Sequence, residues 1–304
     1  MKVPFLSLID AHKEISDEIN SGIKNVLNSG RYIGGNQVDS FEENYAKYVD
    51  AKYCVGLGNG FDSIQISLRA LGVKKGDEVI VPSHTFIATW LAVSNIGAIP
   101  VPVEPSEQTF SINPANIKKS ITQKTKAIIP VHLYGHPAEI DEINKIAKEH
   151  NLFVIEDAAQ AHGAIYKNKK IGAHSDVVAW SFYPGKNLGA MGDAGGITTN
   201  RKSIADEIRM LGNYGSEKKY IHKTQGLNSR LDPIQASILD IKLKYLDSWN
   251  QRRREIADTY LRNISFKTLL SLPSGLSLED SVWHIFPLRC NSRDKLIHNL
   301  SNKG

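Results

Sequence analysis

The sequence predicts an α/β fold in which helices cover both faces of a mostly parallel sheet. Short runs rich in β-branched residues alternate along the chain with helical segments, and these runs are apolar at nearly every position. Strands with apolar side chains on both faces are typical of a parallel sheet buried between helices. The predicted strands are Tyr53–Leu57, Glu78–Val81, Ile99–Val103, Ala127–Val131, Leu152–Ile155 and Val177–Trp180.

Helical spacing of apolar residues precedes the first strand and fills the gaps between the others. The N-terminal helix is expected to end at Gly30. From about Asp232 a pattern with helical period continues to Tyr260, which predicts one long helix leading to a second domain near Asn263, with a strand over Val282–Arg289. We therefore divide the chain into a large domain, 1–245, and a bridging helix with the start of a small α+β domain, 246–304.

Composition is that of a globular protein of 304 residues, 41% apolar and 23% charged. No apolar stretch reaches the roughly 20 residues that span a bilayer, and the first residues lack the apolar block of a signal peptide, so we expect a cytoplasmic protein that is not bound to a membrane. The net charge of +5 is scattered and suits anionic substrates. We expect no nucleic-acid partner, because no DNA-reading motif accompanies the charge.

Two cysteines, Cys54 and Cys290, lie far apart and outside any CxxC spacing. This predicts neither a disulfide framework nor a zinc site, and we expect two buried thiols. His132 and His136 are four residues apart, but the intervening "LYG" is typical of a loop after a strand rather than of one helix face. A metal site is therefore not expected.

A glycine-rich turn, "GLGNGFDSIQISL" at residues 56–68, joins a predicted strand to a predicted helix. Small residues there let backbone N–H groups approach a phosphate, and the N-terminus of the helix favours an anion. A plain tight turn is the alternative. The G-x-G-x-G spacing differs from the G-x-G-x-x-G of dinucleotide sites, which makes a nicotinamide-dependent oxidoreductase a remote possibility.

Acidic residues follow another strand in "LFVIEDAAQAHGA", residues 152–164, where Glu156 and Asp157 stand at the carboxyl end. A carboxylate at that position could bind a metal, a ribose hydroxyl or the protonated ring nitrogen of a heterocyclic cofactor. Gln160 could hydrogen-bond the same ligand. The alternative is that Asp157 caps a following helix.

Lys186 follows a third strand in "SFYPGKNLG", residues 181–189. A buried or cation-flanked lysine loses its proton more readily, and the neutral amine can form a Schiff base. A single loop lysine is usually solvated. Here the glycine turn, Asp157 and Lys186 all follow predicted parallel strands, so one ligand could contact all three.

Six ordered motifs resemble those of the DegT/DnrJ/EryC1/StrS sugar aminotransferases: "GNGFDS", "VPSHTFIAT", "VHLYGHPAEID", "EDAAQAHGA", "SFYPGKNLGAMGDAGG" and "GLNSRLDPIQA". The resemblance extends from Val3 to the last residues. It implies the fold-type I architecture, with a seven-stranded sheet, and pyridoxal 5'-phosphate (PLP) as the cofactor.

The resemblance also implies roles for individual residues. Lys186 would carry PLP as a Schiff base and transfer the proton, Asp157 would hold the pyridine nitrogen protonated, and Gln160 would contact the phenolic oxygen. Phe86 would stack on the ring, although without the family it would be read as a core aromatic residue.

For the phosphate, the resemblance implies the backbone of Gly60 and Phe61 and the hydroxyl of Ser181. Asn228 would reach the phosphate in the neighbouring subunit, which implies a homodimer with shared sites. The weaker candidates for contact with the sugar nucleotide are Tyr183, Tyr220 and His222, of which the last two could equally be ordinary surface-loop residues.

Similar enzymes with "GxxGDAG" after the lysine mostly act on nucleotide-linked 3-keto-6-deoxy sugars, and Gly189–Gly195 reads "GAMGDAG". The resemblance thus favours a transaminase that forms a dTDP-3-amino-3,6-dideoxyhexose with L-glutamate as donor. A C4 aminotransferase is the alternative. Some relatives are dehydratases or regulatory proteins, but these typically replace the lysine with histidine.

Members of this family usually continue for several tens of residues beyond the position of Gly304. We therefore expect the small domain to be incomplete in this chain and apolar side chains at Val282, Ile285 and Phe286 to be exposed. Poor solubility or weak activity is the expected consequence.

Overall fold

The computed structural model describes residues 3–264, 270–271 and 277–304. Its strands are, in chain order, β1 (Tyr53–Leu57), β2 (Glu78–Pro82), β3 (Ile99–Val103), β4 (Thr125–Ile128), β5 (Phe153–Asp157), β6 (Ile165–Tyr166), β7 (Lys169–Lys170), β8 (Val177–Ser181), β9 (Gly195–Thr199), β10 (Ser216–Lys218), β11 (Ile221–His222), β12 (Leu270–Ser271) and β13 (Arg289–Cys290).

The described residues form a central sheet of seven strands in the order β1-β9-β8-β5-β4-β2-β3. Strand β9 runs antiparallel to both of its neighbours, β1 and β8, and the other pairs are parallel. The carboxyl ends of β1, β2, β5 and β8 therefore meet at one edge, where ligands of such sheets bind. The predicted fold class and its mostly parallel sheet are confirmed.

The helices are α1 (Leu8–Lys13), α2 (Ser16–Ser29), α3 (Asn36–Tyr48), α4 (Gly60–Ala70), α5 (Ile87–Asn95), α6 (Pro114–Ser120), α7 (Ile140–His150), α8 (Lys202–Gly212), α9 (Pro233–Leu243), α10 (Leu246–Asn263) and α11 (Arg293–Lys303). They bury the sheet from both sides. Trp180 and Ala179, neighbours on β8, belong to separate clusters of buried apolar residues, because successive side chains of a strand point to opposite faces.

An aromatic cluster supports the lysine-bearing loop after β8. Tyr45 of α3 packs edge-on against Trp180 at 5.3 Å and against Phe182 at 5.2 Å between ring centroids, and all three side chains are buried. The Trp180 indole also donates a hydrogen bond to Thr198 Oγ1 at 2.9 Å. These contacts fix the end of β8, which lies five residues before Lys186.

The prediction of one long helix from Asp232 to Tyr260 is wrong, because the chain forms two helices, α9 and α10. At the break, the N–H groups of Lys244 and Tyr245 bond to carbonyls three residues back, a tighter pattern than the α-helix. The proposed division into residues 1–245 and 246–304 stays a prediction.

The prediction of a strand over Val282–Arg289 is also wrong, since only Arg289 of this range lies in a strand, β13. Backbone groups of the segment bond to the turn at Tyr134 and Gly135 instead of to a neighbouring strand, and Trp283 has a φ of 44°. Val282 is 0% exposed, so the expectation that it would be an exposed apolar residue is wrong.

Ile285 and Phe286, which were expected to be exposed with Val282, are partly buried, and the Phe286 ring packs against Trp283 at 5.4 Å between centroids. Cys54 is buried as predicted, whereas Cys290 is only partly buried, because it lies at the end of the short outer strand β13. Among the residues that the structure describes, no helix is both long enough and apolar enough to cross a membrane.

Candidate active site

A cradle for an anion lies where β1 passes into α4. Asn59 caps the helix, and its side chain accepts a hydrogen bond from the N–H of Asp62 at 2.8 Å. The first amides of a helix, here those of Gly60 and Phe61, have no intrahelical acceptor, and the helix dipole favours a negative charge beside them. A Cβ on Gly60 would lie 2.5 Å from the Cβ of Ser181, so only glycine lets the helix approach the hydroxyl at the end of β8 so closely.

Asp157 is the last residue of β5 and is 7% exposed. Its Oδ2 accepts a hydrogen bond from Thr89 Oγ1 at 2.9 Å, and its Oδ1 accepts one from the N–H of Ala159 at 3.2 Å. The alternative in which Asp157 caps a helix is wrong, because the chain from residue 158 to 164 forms turns. Each carboxylate oxygen keeps a lone pair for a further donor.

The side-chain amide of Gln160 has a fixed orientation. Its Oε1 accepts a hydrogen bond from the N–H of Tyr134 at 2.6 Å. The backbone of Tyr134, which donates this hydrogen bond, has a φ of 62°, a left-handed conformation that is costly for a residue with a side chain. Because the oxygen is engaged, the Nε2 group of Gln160 remains as a donor and would suit an anionic acceptor such as a phenolate.

Lys186 lies in a turn after β8, and its backbone N–H donates to the carbonyl of Tyr183 at 2.8 Å. Burial lowers the pKa of the Lys186 ammonium below its usual value, while the charge of Asp157 raises it by a smaller amount. Because the effect of burial is the larger, a greater share of Lys186 is the neutral amine, which is the nucleophilic form.

The other predicted site residues are exposed in the single chain. Phe86, which follows β2 and immediately precedes α5, is 70% exposed, and Tyr183 and Asn228 are also exposed. Tyr220 and His222 belong to the β10–β11 hairpin region and are both exposed. The structure therefore brings the glycine turn, Asp157, Gln160 and Lys186 to one edge of the sheet and leaves these five residues at the surface.

His132, a buried histidine near this edge, is engaged in structural hydrogen bonds. His132 Nδ1 accepts a hydrogen bond from the N–H of Ala138 at 3.0 Å, so its Nε2 carries the proton and donates to Glu156 at 3.0 Å. His136 is buried and follows a single 3₁₀ turn, Leu133–Gly135. Residues 3–264, 270–271 and 277–304 contain no cluster of three side chains able to hold a metal ion.

The sequence reasoning missed three polar residues around the lysine loop: Asn187, Asn250 and His284. The Asn187 Nδ2 group donates to Asn250 Oδ1 and to the carbonyl of Val282, each at 2.9 Å, and Asn187 Oδ1 pairs with His284 Nδ1 at 3.0 Å. A histidine inside the apolar run "SVWHIFPL" was the available signal. The run, interpreted as a strand, gives no indication that this histidine lies beside Lys186.

These observations agree with the comparison with known families. Residues 13–304 match the DegT/DnrJ/EryC1/StrS aminotransferase family, and the chain belongs to this family. It is therefore an aminotransferase, as the motifs predicted.

Curated relatives agree with this assignment. The chain is 49% identical over 303 residues to the dTDP-3-amino-3,4,6-trideoxy-alpha-D-glucose transaminase of Streptomyces venezuelae, covering 100% of this chain and 80% of the relative. It is 50% identical over 302 residues to the dTDP-3-amino-3,6-dideoxy-alpha-D-galactopyranose transaminase of Aneurinibacillus thermoaerophilus. That match covers 99% of this chain and 83% of the relative.

Solved structures extend the likeness to three dimensions. The crystal structure of S. venezuelae DesV in complex with a ketimine intermediate matches with a TM-score of 0.97 and 49% identity, covering 99% of this chain and 81% of that one. NtdA of Bacillus subtilis, solved with bound pyridoxamine phosphate, matches with a TM-score of 0.90 and 36% identity. That match covers 97% of this chain and 68% of NtdA. Enzymes of this family depend on PLP, and PLP is the cofactor.

The residues of the site fit this cofactor. PLP needs an anion cradle, an acceptor for a ring N–H and a lysine that can become neutral. The free N–H groups at the start of α4, the buried Asp157 carboxylate and the Lys186 amine with its lowered pKa meet these three requirements.

Proposed function

We propose that this enzyme transfers an amino group from L-glutamate to C3 of a dTDP-linked 3-keto-6-deoxyhexose. Two features support the choice of carbon. The "GAMGDAG" stretch follows Lys186, and the two curated relatives described above are named for products aminated at C3. A nucleotide-linked deoxyamino sugar for glycan synthesis would be the product.

The observation that carries the proposal is the meeting of three chemically matched groups at one edge of the sheet. The N–H groups of Gly60 and Phe61 with the hydroxyl of Ser181 would hold the phosphate of PLP. Asp157 would bind the ring N–H through the lone pairs that Thr89 and Ala159 leave free. When bound, PLP supplies an electron sink and carries the amino group between two half-reactions.

Three side chains would act around the reacting atoms. The Lys186 Nζ, as a neutral amine, would accept a proton from the α-carbon of glutamate and, in the second half-reaction, deliver one to C3 of the sugar. Gln160 would donate through Nε2 to the phenolic oxygen, since its Oε1 is already bonded to Tyr134. Phe86 would cover one face of the ring and exclude water from it.

A second copy of the chain would complete the site. Asn228 is exposed and free to reach the phosphate bound by a partner subunit, and Tyr183, Tyr220 and His222 are exposed and free to contact the sugar nucleotide. We therefore propose a homodimer with shared active sites. In this arrangement residues 1–245 would form the cofactor-binding domain, and residues 246–304 would contribute the bridging helix and part of a smaller domain.

Covalent labelling tests the role of Lys186. The protein is incubated with PLP and treated with borohydride, and the modified peptide is identified by mass spectrometry. We expect the label on Lys186 in the parent and in Lys145→Ala, an exposed lysine of α7 that serves as the control. Lys186→Ala should lose both the label and turnover, and full turnover by this variant would refute the mechanism.

A direct assay tests the position of amination. The enzyme is incubated with glutamate and either dTDP-3-keto-6-deoxyglucose or dTDP-4-keto-6-deoxyglucose, and the aminated carbon is identified by NMR. Amination at C3 alone is expected. Amination of the 4-keto sugar alone would replace the proposal with the C4 alternative, and labelled protein that aminates neither sugar would favour another activity.

A further inference from the structure

The segment from Ser281 to His284 lies against the site rather than in a separate layer. The backbone N–H of Val282 and the hydroxyl of Ser281 both donate to the carbonyl of Gly135, at 3.0 and 3.1 Å. The preceding residue of that turn, Tyr134, holds the side chain of Gln160. The segment is thus bonded to the same turn that orients a proposed cofactor ligand.

The tautomer of His284 follows from the hydrogen bonds of Asn187. The Nδ2 group of Asn187 donates to two acceptors, Asn250 Oδ1 and the carbonyl of Val282. Its Oδ1 therefore faces His284 Nδ1, at 3.0 Å, and can only accept. The proton of the neutral ring must be on Nδ1, which leaves an unshared electron pair on Nε2.

Burial and nearby charge keep this ring neutral. Burial lowers the pKa of His284 to about 3, and the positive charges of Lys186 and Arg253 act in the same direction. A neutral imidazole with Nδ1 protonated is a hydrogen-bond acceptor at Nε2.

The Nε2 atom of His284 has no hydrogen-bond partner among the described residues, and the side chain is only partly buried. His162 differs, because both of its ring nitrogens are completely enclosed between Trp180 and Phe182. The ring of His284 lies within electrostatic reach of Lys186, and Asn187, the neighbour of Lys186, bonds to the Nδ1 side of the ring.

We propose that His284 is a further substrate-binding residue of the aminotransferase, held by Asn187 as the Nδ1–H tautomer so that Nε2 accepts a hydrogen bond from an N–H or O–H group of the substrate beside Lys186. The donor is either the amino group of the amino acid or a hydroxyl group of the sugar. The proposal rests on the role assigned above to Lys186.

Kinetics of the two half-reactions test the contact and identify the donor. The matched variants are His284→Leu, which removes the acceptor, and His284→Gln, which can supply an amide oxygen; His150→Gln at the exposed end of α7 is the control. Removal of this acceptor leaves a donor group of the substrate unpaired, which predicts a fall in kcat/KM of roughly 10- to 100-fold for His284→Leu. Partial recovery is expected in His284→Gln.

A defect in the glutamate half-reaction would assign the bond to the amino group, and a defect in the sugar half-reaction would assign it to a hydroxyl group. Values of kcat/KM for His284→Leu that match the control in both half-reactions would overturn the proposal.

The tautomer is tested without turnover, by ¹⁵N NMR of histidine-labelled protein in the absence of PLP. The signals of His284 are identified by their loss in His284→Gln. We expect a protonated Nδ1 and a bare Nε2 between about pH 6 and 8. A proton on Nε2 would overturn the inference, and because the assignment needs only His284→Gln, this test holds even if His284→Leu failed to fold. Failure of PLP to label Lys186 would instead refute the proposed function and leave this NMR result unaffected.

Discussion

Two histidines with lowered pKa values, the buried His136 and the partly buried His284, should make the folded protein sensitive to mild acid. Burial lowers the pKa of His136 to about 4, with His132 acting in the same direction and Asp280 opposing, and burial and two cations lower the pKa of His284 to about 3. In the unfolded chain both return to about 6.5. The unfolded state therefore binds more protons between these values, and stability that is complete above about pH 6.5 is lost as the pH falls.

The size of the effect follows from the linkage between protonation and folding. Between about pH 7.5 and about pH 5.5, the unfolded form of one such histidine becomes mostly protonated while the folded form stays neutral. This costs about 1.3 kcal/mol of unfolding free energy for each ring, or about 2.6 kcal/mol for both. For a domain of marginal stability, such a loss is a substantial part of the total.

Urea unfolding of the protein without PLP, followed by circular dichroism at the two pH values, measures this loss. His136→Gln should reduce the pH-dependent loss by about 1.3 kcal/mol relative to the parent. His150→Gln removes an exposed histidine and should leave the loss unchanged, which controls for the titration of carboxylates elsewhere. An equal pH dependence in the parent and in His136→Gln would refute the reasoning.

Three further substitutions follow from close contacts. Gly60→Ala should weaken PLP binding roughly 10- to 100-fold in a fluorescence titration, because its Cβ would lie 2.5 Å from a side chain of β8. Gly58→Ala, with its nearest contact at 3.2 Å, should bind PLP within a few-fold of the parent. Arg209→Met should destabilise by about 2 kcal/mol in urea unfolding, since it removes both guanidinium bonds from buried Glu42. Thr198→Val should cost about 2 kcal/mol in the same assay, because it leaves a buried indole N–H and a carbonyl unpaired.

Apolar runs located most of the central sheet from the sequence. Strand β1 matches its predicted bounds, and β2, β5 and β8 differ from theirs by one or two residues. Strand β9 was missed, because "GGITT" lacks a continuous apolar run. It is nevertheless fully buried between β1 and β8, since its glycines allow close backbone approach and its threonine hydroxyls bond to backbone carbonyls.

Different physical signals account for what was found and what was missed at the site. The glycine turn, Asp157 and Lys186 could be predicted because each follows a strand, and the topology of a parallel sheet brings strand ends together. Residues whose role depends on side-chain contacts between distant segments left no such signal. His284 is 97 residues from Asn187, and their hydrogen bond exists only because the segment after α10 returns to the turn at Gly135.

The return of this segment to the turn at Gly135 helps to hold the loop that carries Lys186 in place. Asn187, the residue after Lys186, is buried and makes three hydrogen bonds simultaneously. Its partners are Asn250 of α10, the backbone carbonyl of Val282 and the ring of His284. Asn250 in turn donates to the carbonyl of His162 at 2.8 Å, in the stretch that also contains Asp157. Lys186, the proposed attachment point of the cofactor, is thus held through its neighbour Asn187 by segments from three separate parts of the chain. Because buried amide groups are costly to leave unpaired, a displacement of any one segment would be transmitted to the position of Lys186.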